Sequence, residues 1–157
     1  MPVIQLPSGP NILLVEVDFP AALPHTVFDY WTQPALLRQW WPQEAEVESR
    51  VGGAYQLGWP QMDWHLRGRY TAFEPGKRLG FTWRWDHDEP DEPEREVLIV
   101  LEPLPPDRPD GPDGTRLLLT HGPYSDTPAD QELRIEHHLA GWQHFLPRLQ
   151  QVLGAPR

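Results

Sequence analysis

The chain has 157 residues, a length that fits one domain able to bury most of its unfolded surface. Hydrophobic residues make up 39% and aromatic residues 11%, which excludes a wholly disordered chain, and the absence of cysteine excludes disulfides and thiolate chemistry. The net charge of -10 argues against nucleic acid as a partner, because phosphate binding requires clustered lysine and arginine.

The N-terminal part of the chain predicts one strand and two short helices. Residues 1–10 contain no basic segment followed by a long apolar run, so we expect no signal peptide. Residues 11–19 are mostly apolar and predict a strand. Pro24 can begin a first helix, and Thr32 before Pro34 predicts a capped second helix that Pro42 ends.

Residues 44–121 contain only strand and turn signals. Strands are predicted near residues 45–50, 54–59, 64–74, 79–85, 94–102 and 115–121. Their short connections indicate an antiparallel sheet of about seven strands, counting the first one. Residues 86–96 between two of these strands hold seven carboxylates and one arginine, and we expect a solvated loop there without a calcium site.

The C-terminal part predicts one long helix. Thr127 and Pro128 are a typical cap and first residue, and the helix should continue to Leu153, before Gly154. One side of this helix is apolar at helical spacing and should face the sheet; it comprises Ile135, His138, Leu139, Trp142, Phe145, Leu146, Leu149 and Leu153.

The strand and helix spacing points a set of large aromatic side chains at one common interior. The set comprises Tyr55, Trp59, Trp64, Tyr70, Phe81, Trp83, Trp85 and Trp142. Two readings stay open: these rings fill a solid core, or they line a cavity that takes an apolar ligand. His121 and His138 share the inward faces, where each can be a hydrogen-bond anchor, a general base or a structural histidine.

Other site chemistry finds little support in the sequence. His137 and His144 are seven residues apart, which separates them by about 10 Å along a helix, and both should face solvent. We therefore predict no metal and no cofactor. No serine lies in a Gly-x-Ser-x-Gly context, and no apolar run approaches the roughly 18 residues of a membrane span. We expect a cytoplasmic protein that does not bind membranes.

A series of short motifs resembles the SRPBCC (START-like) superfamily, and within it the branch named for the activator of heat-shock-protein-90 ATPase. The motifs are VFDYWT at 27–32, LRQWWP at 37–42, VGG at 51–53, GRY at 68–70, PGKRL at 75–79, FTWRW at 81–85, GTRLLLTH at 114–121 and GW at 141–142. The resemblance implies an α+β helix-grip fold, in which a curved antiparallel sheet wraps around the long C-terminal helix and leaves a hydrophobic cavity. It also implies a single domain over residues 1–157, with a core of about 11–153.

Three functions follow as hypotheses. Relatives in the superfamily bind lipids, sterols, polyketides or other apolar molecules, so the first is binding of a small hydrophobic molecule by the inward aromatics, with His121 and His138 as polar anchors. The second is an enzyme of the cyclase or hydrolase type, which we favour less. The third is an interaction module, such as a homodimer or a chaperone partner, that uses outward-facing Leu98, Val100 and Leu118.

Overall fold

Eight strands form one antiparallel sheet, and the computed structural model describes residues 3–106, 109–111 and 113–154. The strands are β1 (Ile4–Gln5), β2 (Leu13–Phe19), β3 (Glu44–Val47), β4 (Ala54–Trp59), β5 (Trp64–Glu74), β6 (Arg78–Trp85), β7 (Arg95–Leu104) and β8 (Gly114–Gly122). Their order is β1-β2-β8-β7-β6-β5-β4-β3. From β3 to β8 each strand pairs with its neighbour in the chain, and β2 pairs with β8.

The sheet confirms the predicted meander and adds one strand to it. The additional strand, β1, pairs its two residues with Glu16 and Val15 of β2. Two residues are too few to produce a recognisable alternation, so the sequence pattern contained no signal for this strand.

Two short helices connect β2 to β3, as predicted, although the second begins differently. Helix α1 spans Pro24–Thr32 and α2 spans Pro34–Leu37. The predicted cap is wrong, because the Thr32 hydroxyl donates to the Phe28 carbonyl of its own helix at 3.0 Å. Gln33 occupies the cap position of α2 without a side-chain hydrogen bond. Tight turns continue the chain from Leu37 to Trp41.

The C-terminal helix begins and ends as predicted, but a wider turn interrupts it. It comprises α3 (Pro128–Glu132), a π-helical segment (Leu133–Leu139) and α4 (Ala140–Leu153). The Thr127 hydroxyl accepts from the Asp130 amide, which confirms the predicted cap. The sequence places a loosening of the helix at Pro147, whereas the irregular segment lies nearer the helix start and Pro147 lies within α4. His138 and Leu139 lie in the π segment and are each less than one-tenth exposed, on the inward side that the sequence pattern predicted.

The core lies between the concave face of the sheet and the helices. Alternate residues of β2 are fully buried, and Leu146 and Leu149 of α4 are also fully buried. The Gln150 side chain donates to the Asp18 carbonyl at 2.9 Å, which ties α4 to β2. This α+β arrangement of a curved antiparallel sheet and a long C-terminal helix confirms the predicted helix-grip fold.

The outer face of the sheet carries the three apolar residues predicted to face outward. Leu98, Val100 and Leu118 are half-buried, and Val100 pairs directly with Leu118 across β7 and β8. Within the described part of the chain, no helix combines the length and the apolar character needed to cross a membrane.

Candidate ligand-binding cavity

A cavity of about 530 Å³ separates part of the sheet from the C-terminal helix. We call it the main cavity. Its walls include six tryptophans, which come from five separate parts of the chain: Trp41, Trp59, Trp64, Trp83, Trp85 and Trp142. The helix side also contributes His138, Gly141 and Phe145.

Strand geometry explains how the sheet contributes its share of these walls. Trp83 and Trp85 are two residues apart on β6 and therefore share a face. Trp59 of β4 pairs directly with Trp64 of β5, which puts their side chains on one side of the sheet. The ring centroid of Trp85 lies 5.5 Å from that of Trp59, 5.8 Å from that of Trp64 and 5.7 Å from that of Trp83. The four rings form one continuous aromatic wall.

The turn after α2 and helix α4 close the opposite side. The Trp41 ring lies 5.3 Å from the Trp142 ring and 6.0 Å from the Trp83 ring. The Trp59 indole donates to the Trp41 carbonyl at 3.2 Å, which fixes this turn against β4. Trp64 is 42% exposed, so the aromatic wall reaches solvent at this end, which we call the mouth.

A second space of about 380 Å³ adjoins the main cavity, and we call it the side cavity. The two share Trp83, Trp85 and His138 among their walls. Arg95 borders the side cavity although its side chain is only 3% exposed. It forms an ion pair with Glu92 and lies 3.3 Å from an Asp130 carboxylate oxygen. The walls of the side cavity are therefore mainly charged, whereas those of the main cavity are mainly aromatic.

A row of buried polar groups connects the side cavity to the core. The Arg95 guanidinium lies 5.2 Å from the centre of the Tyr124 ring, and the Tyr124 hydroxyl hydrogen-bonds His138 Nδ1 at 2.7 Å. The His138 and His121 rings stack in parallel, 4.2 Å apart. The Trp142 indole donates to His121 Nδ1 at 3.1 Å, so the proton of a neutral His121 lies on Nε2.

Both histidines are held in the neutral form. Burial lowers the pKa of His121 well below its usual value, and the neighbouring His138 and Arg95 lower it further. Burial is also the main reason that the pKa of His138 falls to about 3, with contributions from Arg95 and His137. Because Tyr124 engages Nδ1 of His138, Nε2 is the ring nitrogen left for a ligand in the cavity.

Six of the ten residues predicted for the site line the main cavity. They are Trp59, Trp64, Trp83, Trp85, His138 and Trp142. Trp64 differs from the expected buried position because it lies at the mouth. His121 is fully buried beside His138 and belongs to neither cavity wall.

Tyr55, Tyr70 and Phe81 do not line the cavity, which corrects the prediction. They surround a void of about 10 Å³ that Trp31 of α1 and Leu37 of α2 close from the other side. The three side chains do point to the concave face, as the strand alternation predicted. The two short helices fill this half of that face, however, and leave no room for a ligand. The two alternatives left open by the sequence therefore apply to different halves of one sheet, a filled core under α1 and α2 and a cavity beside the C-terminal helix.

Several residues of the site were missed by the sequence analysis. Arg95 lies in an acidic, proline-rich segment that predicted a solvated loop, yet its side chain is buried. The signal was its place on the predicted strand 94–102, two residues before Val97 and therefore on the same face. Asp88 and His87 of the same segment border the main cavity. His137 is exposed, as predicted, and also borders both cavities. Among the residues that the structure describes, no three potential metal ligands come together.

A family model described as activator of Hsp90 ATPase homolog 1-like protein matches residues 21–154 of the chain. The chain belongs to this family. The match begins just after β2 and includes α1, α2, the whole meander and the C-terminal helix. A search of curated proteins finds no match.

Solved structures share the fold of this family member. A protein from Rhodobacter sphaeroides is 22% identical, with a TM-score of 0.74 and coverage of 99% of this chain and 100% of that chain. An HSP90 activator from Plasmodium falciparum is 20% identical over 93% of this chain and 98% of that chain, with a TM-score of 0.68. CalU16 from Micromonospora echinospora is 22% identical over 98% of this chain and 83% of that chain, with a TM-score of 0.66. At these identities the likeness establishes the fold alone.

Proposed function

We propose that the protein binds a small hydrophobic molecule in the main cavity. The observation that carries this proposal is the group of six tryptophans around a space of about 530 Å³. Ligand sites typically occupy about 300–1,000 Å³ and are lined mainly by apolar and aromatic groups. A ligand that covers these rings gains roughly 25 cal/mol for each Å² of apolar surface removed from water.

One polar group on the walls can orient such a ligand. Tyr124 engages Nδ1 of His138, and His138 Nε2 offers a hydrogen bond to a ligand in the main cavity. We therefore infer a ligand with an apolar body and at least one hydrogen-bonding oxygen.

The state of His138 favours a binding protein over a cyclase or hydrolase. A general base works best when its pKa lies near the operating pH. With a pKa of about 3, His138 is a weak base at neutral pH. It is also uncharged there, so it cannot act as an imidazolium acid. His121 is more deeply buried and borders neither cavity. Hydrogen bonding is the role that these imidazoles can perform. We place the protein in the cytoplasm as part of this proposal, in keeping with its lack of cysteine.

Gly141 allows a direct test of the site. A Cβ atom added at this helical position would have no neighbour within 4 Å, and the position borders the main cavity. A Gly141→Phe substitution should therefore fill the cavity without a clash in the core. We expect it to weaken binding of N-phenyl-1-naphthylamine, a neutral aromatic probe, at least tenfold in a fluorescence titration.

The preceding residue supplies the matched control. Ala140 is exposed on the same helix, so Ala140→Phe adds the same ring outside the cavity. This variant should bind the probe as the unmodified protein does. Equal affinity of Gly141→Phe and the unmodified protein, with both folded by circular dichroism, would place probe binding elsewhere and contradict the proposal.

A further inference from the structure

The charge around the two cavities is strongly negative. Their combined walls contain six carboxylates and one guanidinium, a formal charge of -5: Asp88, Glu89, Glu92, Asp130, Glu132 and Glu136 against Arg95. The single cation, Arg95, already forms ion pairs with Glu92 and Asp130. Around the main cavity, the described wall residues include Asp88 and Glu136 but no lysine or arginine.

The same walls present indole faces that no protein cation covers. Within the described residues, cation–π contacts are made by Arg95 on Tyr124 and by Arg148 on Phe145, and neither involves a cavity tryptophan. At the mouth, the Trp64 and Trp85 rings lie 5.8 Å apart, and the His87 ring lies 5.6 Å from each of them. Asp88 follows directly, and its carboxylate accepts from the Trp85 amide at 3.0 Å. Aromatic faces and a carboxylate thus meet at one place.

These two features select one class of ligand. The face of an indole carries negative electrostatic potential and attracts an organic cation, most strongly where water is excluded. Nearby carboxylates add a Coulomb attraction that a cavity with apolar walls screens less than bulk water does. An anionic amphiphile such as a fatty acid would place its carboxylate against Asp88 and Glu136 and be repelled. A neutral ligand would gain nothing from the charge.

We propose that the ligand of the main cavity is an amphipathic organic cation, with a substituted ammonium group at the mouth. This inference rests on the proposed function and narrows it. The ammonium group lies against Trp64, Trp85 and Asp88, and the apolar body extends along the inner tryptophans. His138 Nε2 hydrogen-bonds an oxygen of that body.

Three esters of matched shape separate charge from hydrophobicity. Benzoylcholine carries an aromatic ring, a carbonyl oxygen and a trimethylammonium group. In 3,3-dimethylbutyl benzoate a neutral tert-butyl group replaces the ammonium group, and 4-(benzoyloxy)butanoate carries a carboxylate instead. We expect calorimetric titration at low ionic strength to show benzoylcholine binding about tenfold more tightly than the neutral ester, with the anion weakest.

Charge-removing variants locate the effect. Asp88→Asn keeps the acceptor for the Trp85 amide, and Glu136→Gln changes an exposed helical residue, so both should fold. Each should lower the preference for benzoylcholine over the neutral ester, measured as the ratio of the two dissociation constants, at least threefold. Glu46→Gln on β3 removes the same charge away from both cavities and should leave the preference intact.

The outcomes distinguish the inference from the proposed function. If the neutral ester binds as tightly as benzoylcholine, the cavity binds hydrophobic molecules and the cationic class is wrong. The inference also falls if Glu46→Gln lowers the preference as much as Asp88→Asn does, or if none of the esters binds. In that last case the proposed function still depends on the Gly141→Phe comparison with the neutral naphthylamine probe.

Discussion

The imidazole rings of His121 and His138 lie face to face where the site is least accessible to water. Their stacking distance of 4.2 Å would bring two positive charges together if both were protonated. Burial and the nearby Arg95 oppose protonation of both rings, and His138 adds to this effect at His121. The pair is therefore a neutral hydrogen-bonding unit, held by Trp142 on one side and Tyr124 on the other.

This unit predicts how stability depends on pH. His138 has a pKa of about 3 in the folded protein, against about 6.5 for an unperturbed histidine, and the pKa of His121 is shifted in the same direction. Between these values the unfolded chain binds more protons, so the free energy of unfolding should fall as the pH is lowered below 6.5. Each such histidine contributes a slope of up to about 1.4 kcal/mol per pH unit.

Urea unfolding at pH 7, 6 and 5 measures this slope. His138→Gln removes one titrating group, so its stability should decline less steeply across the interval than that of the unmodified protein. His144→Gln, at an exposed position of α4, is the control and should keep the full slope. A slope identical in all three proteins would show that His138 is not protonated preferentially in the unfolded state.

The C-terminal helix contains a glycine where its own geometry does not require one. Gly141 lies two residues after the π segment, and its conformation does not demand a missing side chain, since an added Cβ would touch nothing within 4 Å. Glycine inside a helix costs roughly 0.5–1 kcal/mol relative to alanine. Its effect here is to leave space for the cavity beside Trp142.

We therefore expect Gly141→Ala to raise the free energy of unfolding by about 0.5–1 kcal/mol. Gly68 on β5 provides the opposite case, because a Cβ there would come within 2.4 Å of the Thr82 carbonyl oxygen and 2.7 Å of the Tyr55 ring. Gly68→Ala should be destabilising by 1 kcal/mol or more, since overpacking of a buried site costs about 1–3 kcal/mol. Urea titrations of both variants at pH 7 check the two signs.

The molecule as a whole presents two apolar surfaces with different geometry. The concave face of the sheet is covered by helices except at the tryptophan-lined cavity. On the convex face, the row of Leu98, Val100 and Leu118 is half-buried. The cavity accepts a small molecule, whereas a flat apolar row on a sheet suits a second protein surface.

A homodimer through the convex face stays a prediction. We expect light scattering coupled to size-exclusion chromatography to show a mass that rises with concentration toward twice that of the monomer. Val100→Glu should keep the protein monomeric, because it places a charge at the centre of the row. Leu23→Glu, at an exposed position away from the sheet, should dimerise like the unmodified protein. A monomer at every concentration would remove this prediction.

Elements with strong periodicity could be predicted from the sequence, and weakly patterned ones could not. The alternation that ends in Trp83 and Trp85 identified β6 and its inward face. By contrast, β1 is too short to alternate, and a π segment leaves the same apolar spacing as an α-helix over a few residues. Pattern recognition depends on repeats, and these features span too few residues to repeat.

The sequence alone determined which aromatic side chains of a strand share a face, because backbone geometry dictates this alternation. Whether an inward ring lies in a filled core or on a cavity wall was decided only by tertiary structure. Tyr55 and Trp59 lie on the same face of β4, yet Trp31 and Leu37 pack near the first, and open space adjoins the second. The burial of Arg95 was likewise decided by the approach of Tyr124 and Asp130 from distant parts of the chain. Local spacing carries no information about which distant segment arrives to fill a given space.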